Sequence, residues 1–165
     1  MTATIYFSGS ISSGRQDADL YRRIVQVLRE AGHRVLDGDV TARAAGHDAR
    51  ATAVAVPGGA AHSVEGGGQL DAFEIFDRDM SWLAEAEVVV AEVSRPSTGV
   101  GYEIAAARHL YRIPVIALYR PAWTSRCSAM ISGDRGIQVI EYEEQTFDEM
   151  ARRMLAALDS LPARP

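Results

Sequence analysis

Apolar and polar positions along this chain alternate between strand-like runs and helix-like periods. Residues 3–8, ATIYFS, form a short apolar-rich run that predicts a first strand. A Gly/Ser turn follows it, Gly9-Ser10-Ile11-Ser12-Ser13-Gly14. Over 16–31, Leu20, Ile24, Val27 and Leu28 recur at helical spacing, and Gly32 supplies a C-terminal stop. Residues 33–36 predict a short second strand. The pattern then dissolves over 37–68, a stretch rich in Ala and Gly. Structureless loops longer than about 12–15 residues are uncommon inside compact domains and are usually lids or disordered segments. A lid and a passive insertion both fit this stretch.

Periodicity returns at 69–86, where Leu70, Phe73, Phe76, Met80 and Leu83 form one apolar stripe of a second helix. Asp79 stands beside that stripe, among the acids Glu74 and Asp77, and its position alone does not single it out. Residues 88–93 form an apolar run ending near Glu92, as a buried parallel strand does. A turn built from Pro96, Ser97, Thr98 and Gly99 leads to a third helix over 101–111, with Glu103 at its start. A fourth strand is predicted over 113–119, a connection over 120–134, a fifth strand over 136–141 and a closing helix over 147–161. The closing helix turns Phe147, Met150, Met154, Leu155 and Leu158 inward.

Five short strands alternating with four helices predict a single α/β domain over 1–165. The expected sheet is parallel, five-stranded and covered by helices on both faces, flavodoxin/Rossmann-like, with a Gly/Ala-rich insertion or lid at about 37–70. Ligands of such sheets bind beyond the carboxyl ends of the strands. That rule brings Tyr6, Ser10, Ser97 and Glu103 toward one crevice, although they are distant in sequence.

Composition narrows the chemistry. The chain has 165 residues, and all 17 of its basic residues are arginine. Without lysine there is no P-loop lysine and no Schiff-base lysine. The net charge of −5 lacks the general basic footprint expected for a nucleic-acid polymer. No apolar run reaches the roughly 18 residues of a membrane span, and no basic, signal-like N-terminal region is present, so a cytoplasmic protein is expected. Cys127 is the only cysteine, and its simplest reading is a small packing residue. His33, His47, His62 and His109 are scattered without metal-ligand spacing, so no metal site is expected. No Gly-x-Ser-x-Gly elbow is present.

Carboxylate chemistry remains. A helix start favours an ionised Glu103, and an ionised carboxylate can attack a sugar carbon while a second acid assists the leaving group. Hydroxyls and glycine N–H groups of the two turns can hold a phosphate without lysine. An ordinary N-terminal helix acid is the alternative reading of Glu103, and spacing does not choose between the two.

Three stretches add a resemblance: IYFSGSI, the block DMSWLAEAEVVVAEVSRPSTGVGYE, and RCSAMI. Together they resemble the 2′-deoxynucleoside 5′-monophosphate N-glycosidase (Rcl) family, within the nucleoside 2-deoxyribosyltransferase superfamily. The likeness runs from Ile5 to about Glu144 and is weakest over 37–72. It implies hydrolysis of the bond between a nucleotide's sugar and its base, releasing free base and a sugar 5-phosphate, without a cofactor. It implies Glu103 as nucleophile, Asp79 as the acid that helps the base leave, and Tyr6 as the residue that positions the sugar. It further implies Gly9, Ser10, Ile11 and Ser12 in the first nucleotide-binding turn, Ser97 and Gly99 in the phosphate-binding turn, and Ser128 reaching the neighbouring site of a homodimer.

Related transferases place a neighbour's asparagine near the sugar 5′-hydroxyl. This chain has no asparagine and carries Ser128 in the matching segment, which favours a 5′-phosphate substrate with water as acceptor. The family's first turn often carries an arginine where this chain has Ser12, with Arg15 shifted nearby. The LDGDV stretch lacks a histidine of the animal relatives. A ribonucleotide-specific hydrolase of cytidylate type, a base-exchanging transferase and a non-catalytic nucleotide-binding module stay open as alternatives.

Overall fold

The computed structural model describes residues 2–10, 17–38, 53–54, 62–63, 71–124 and 126–161. Ile11 and Ser12 lie outside these residues, as do Arg15 and most of the 37–70 segment. The strands of the main sheet are β1 (Thr4–Gly9), β2 (Arg34–Leu36), β5 (Val88–Glu92), β6 (Val115–Tyr119) and β7 (Ile137–Glu141). They pair in the order β2-β1-β5-β6-β7, every pair parallel. Within the segment that has no sequence pattern, β3 (Ala53–Val54) and β4 (His62–Ser63) form a small antiparallel pair. The helices are α1 (Ala18–Glu30), α2 (Ala72–Glu85), α3 (Thr98–Ala105), α4 (Ala129–Ser132) and α5 (Phe147–Ser160).

Alternation along the strands sorts two cores. Ile5, Phe7, Val88, Val90, Ile116 and Leu118 pack against α1 and α5 on one face. Tyr6, Val89, Ala91, Val115 and Ala117 pack against α2 and α3 on the other. Both sheet faces are therefore covered, which explains why β5 and β6 read as continuous apolar runs. Each fully buried Val, Ile, Leu or Phe stabilises the fold by roughly 1.5–3 kcal/mol. A one-residue slip of β1 against β5 would exchange the two faces, so burial strongly specifies the observed register, Tyr6 opposite Val89 and Ser8 opposite Ala91.

β1 lies between β2 and β5, so the chain leaves it in one direction along the sheet and later returns on its other side. Such a reversal opens a crevice at the carboxyl ends of the two central strands. Gly9 and Glu92, the last residues of β1 and β5, stand opposite each other there.

Helix boundaries differ from the sequence pattern in two places that matter. α2 begins at Ala72 rather than near residue 69, because Asp71 caps it. The Asp71 carboxylate accepts from the Phe73 and Glu74 N–H groups at 2.9 and 2.8 Å, and its own N–H donates to Glu74 at 2.8 Å. Of the α2 stripe only Leu83 is fully buried, while Phe73 is 81% exposed. α3 begins at Thr98, not at residue 101, because the Ser97 hydroxyl accepts from the Val100 N–H at 3.4 Å. Gly99 and Gly101 lower helix propensity in that first turn, but the cap and the burial of Val100 and Ile104 override it. α3 then continues as a π-helical turn over Ala106–Tyr111.

Candidate active site

The α3 boundary changes the setting of Glu103. It is not at the helix mouth but in the second turn, and the helix dipole weakens beyond the first. Its surroundings are set instead by β1. Tyr6 and Ser8 are two apart on that strand and share a face. The Ser8 hydroxyl donates to Glu103 Oε2, and the Tyr6 phenol stands beside the Glu103 carboxylate, close enough to feel its charge. Burial, then the charges of Glu103 and Asp79, push the Tyr6 pKa far upward, so Tyr6 remains a neutral donor.

Asp79 reaches the same place from α2. Glu103, Asp79 and Tyr6 line one cavity of about 210 Å³ together with Gly9, Ser97 and Gly99. Arg78, Trp82, Asp37 and Gly38 also line it. Arg78 Nε donates to Asp79 Oδ1 at 2.9 Å, and the Arg78 guanidinium lies 4.9 Å from the centre of the Trp82 ring. Gly38 has φ +46°, and a Cβ there would come within 3.1 Å of Trp82. The helices of the two acids are tied together by Tyr111, whose hydroxyl donates to the Met80 carbonyl at 3.1 Å.

A second cavity, of about 700 Å³, shares Ser97 and Val100 with the first. Ser128 lines this one, with Arg95, Arg126 and Arg108. The acid in its lining is Asp134, already paired with Arg108 at 3.3 Å. Glu103 and Asp79 therefore share the smaller cavity, and within one chain Ser128 is not brought to it.

Ser10 is buried and does not line either cavity; its carbonyl accepts from the Tyr21 hydroxyl at 3.5 Å. Behind the crevice runs a buried polar network. Arg120, immediately after β6, places Nε 3.2 Å from Glu92 Oε1 and Nη2 2.8 Å from Asp17 Oδ2. Asp17 also pairs with Arg95 at 2.6 Å, and the Arg95 guanidinium stacks 3.7 Å from the centre of the Trp123 ring. The Ser94 hydroxyl donates to Glu92 and accepts from the Arg120 N–H. The network joins the start of α1, the end of β5 and the end of β6, and so sets the spacing of the segments around the crevice.

Sequence reasoning passed over Ser8, Asp37, Arg78 and Arg120. Ser8 had a signal, because strand alternation puts it on the face of Tyr6. Arg78 adjoins Asp79, but nothing in the sequence says that the two side chains pair. Among the described residues no group of His, Cys, Asp or Glu is arranged to hold a metal, and no helix is long and apolar enough to cross a membrane.

No protein-family model matches the chain. Curated relatives do. A 5-hydroxymethyl-dUMP N-hydrolase of Mus musculus is 40% identical over 157 residues, covering 93% of this chain and 80% of the relative. A protein of the same name from Esox lucius is 40% identical over 148 residues, covering 86% and 88%. Among solved structures, a CMP N-glycosidase of Clostridium botulinum shares the fold, with a TM-score of 0.56 at 14% identity over 96% of this chain and 99% of that one.

Proposed function

The chain belongs to the nucleoside 5′-phosphate N-hydrolase family, and from that membership we propose that Glu103 and Asp79 perform the hydrolysis as nucleophile and acid. The protein is a nucleotide N-glycosidase: it cleaves the bond between base and sugar. The substrate class is a deoxyribo- or ribonucleoside 5′-monophosphate.

In the first step a Glu103 oxygen attacks C1′. The C1′–N bond breaks with its electron pair passing to the base nitrogen, and Asp79 supplies the proton that lets the base depart neutral. In the second step water attacks C1′ and gives its proton to Asp79, now a carboxylate, while Glu103 leaves as carboxylate; the sugar 5-phosphate is released and both acids return to their starting forms. Tyr6 remains a neutral donor throughout and holds the nucleophile beside the sugar. Ser97, Gly99 and Gly9, which line the cavity, take the phosphate and sugar, and the family resemblance adds Ser10, Ile11 and Ser12 of the first turn to the same role.

The observation that carries this reading is the meeting of Glu103, Asp79 and Tyr6, from two helices and a strand, in one cavity with Ser97 and Gly99. A homodimer is part of it, with Ser128 reaching the neighbouring site. Phe73, Phe76, Tyr102 and Met130 are large apolar side chains left 49–83% exposed, which suits burial against a second copy.

The test is a panel of the eight common nucleoside monophosphates, assayed for free base by chromatography. Base release by the native protein and none by a folded Glu103→Gln variant is expected. Undiminished turnover by that variant refutes the assignment. Transfer of the sugar to a second free base, in place of hydrolysis, would make the protein a transferase.

A further inference from the structure

We propose that Ser8 is a positioning residue for the nucleophile: its hydroxyl pins Glu103 Oε2, fixing the rotation of the carboxylate and holding it ionised. The inference rests on the reading of Glu103 given above and adds to it a residue with no role so far.

Ser8 is 1% exposed, and a buried hydroxyl must find a partner. Its partner is the carboxylate of Glu103, 95 residues away in sequence. Around it the sheet is apolar: its opposite number on β5 is Ala91, and its strand neighbours are Phe7 and Gly9. A packing role alone would suit Ala or Cys at this position. A hydroxyl aimed at a catalytic carboxylate does something more.

A carboxylate can rotate about its last bond, and a nucleophile needs one oxygen held toward the sugar carbon. Tyr6 and Ser8 lie two apart on one face of β1 and both stand beside Glu103, Ser8 as the donor to its Oε2. The Ser8 bond holds one oxygen in place and favours the ionised form, since a hydroxyl bonds the anion more strongly than the acid. This matters because Glu103 sits beyond the first turn of α3, where the helix dipole gives little help.

Other charged groups share the cavity. Arg78 and Asp79 approach from α2 and Asp37 from the end of β2. Asp79 and Asp37 oppose ionisation of Glu103, and Arg78 supports it while paired with Asp79. The Ser8 hydroxyl supports ionisation without adding charge.

The experiment compares Ser8→Ala, Ser8→Thr and Glu103→Gln with the native protein, using whichever monophosphate of the panel turns over fastest. Folding is checked by thermal melting. Loss of a hydrogen bond to a charged group predicts that Ser8→Ala lowers kcat about tenfold to hundredfold. The acid limb of its kcat/KM profile moves up by about one pH unit, with KM little changed. Ser8→Thr keeps the hydroxyl and restores the limb to the native position. An unmoved acid limb in Ser8→Ala overturns the proposal, even if kcat falls, because lost packing would not change that limb. With Glu103→Gln inactive, such a failure is confined to Ser8. An active Glu103→Gln overturns both this inference and the assignment beneath it.

Discussion

Arg120 Nε lies 3.2 Å from Glu92 Oε1 at the carboxyl ends of two adjacent strands, and both side chains are almost wholly buried. Burial pushes the Glu92 pKa up, while the Arg120 charge opposes that rise. Removing one partner leaves the other stranded in a dry interior. Arg120→Leu is therefore expected to cost about 3–5 kcal/mol, measured by chemical denaturation. The double variant Arg120→Leu with Glu92→Leu recovers part of that loss. A single variant as stable as the native protein would show that the pair is not a stabilising constraint.

Ser97 has two duties, capping α3 and, in the proposed function, contacting phosphate. Ser97→Ala leaves the Val100 N–H without its side-chain acceptor, at a cost of about 1 kcal/mol. It is also expected to raise KM for a nucleotide more than for the matching nucleoside. An equal effect on both substrates would leave Ser97 a cap alone.

Arg78 donates to Asp79 Oδ1, an oxygen of the acid that, in the proposed function, protonates the departing base. A guanidinium there favours carboxylate over carboxyl. Replacing it, as in Arg78→Met, is expected to carry the alkaline limb of kcat/KM upward by about one pH unit. A limb that stays in place would separate Arg78 from the proton transfer.

His33 lies just before β2, at the opposite end of the sheet from the crevice. Its Nδ1 accepts from the Ala3 N–H at 3.2 Å, and burial pushes the imidazole pKa below its ordinary value. The unfolded chain therefore takes up the proton first as pH falls, and the His33 contribution is lost below about pH 6.5. The stability gap between native protein and His33→Asn should be widest near about pH 7.5 and narrow toward about pH 5.5. A gap independent of pH would contradict the buried, neutral assignment.

The strand-helix alternation was legible because burial leaves a period in the chain. Continuous apolar runs announced β5 and β6, and the Phe147, Met150, Met154 and Leu158 stripe announced α5, each with the burial observed. Gly32 marked the end of α1 and does adopt φ +89°. Boundaries were harder where side-chain caps compete with glycine: Ser97 starts α3 across two glycines, and Asp71 starts α2 later than its stripe. The Phe73 and Phe76 stripe looked like any other, yet it faces outward, since periodicity records an apolar face and not what covers it.

Residue types and their local order already contained the α/β plan, the absence of lysine chemistry and the likeness that picks out Glu103, Asp79 and Tyr6. They did not contain the distances among those three, nor the contacts of Ser8 with Glu103 and Arg78 with Asp79. Periodicity is a local property, carried by neighbours a few positions apart. The environment of a carboxylate depends on groups from β1, α2 and α3 that meet only when the sheet register and the helix caps bring them together.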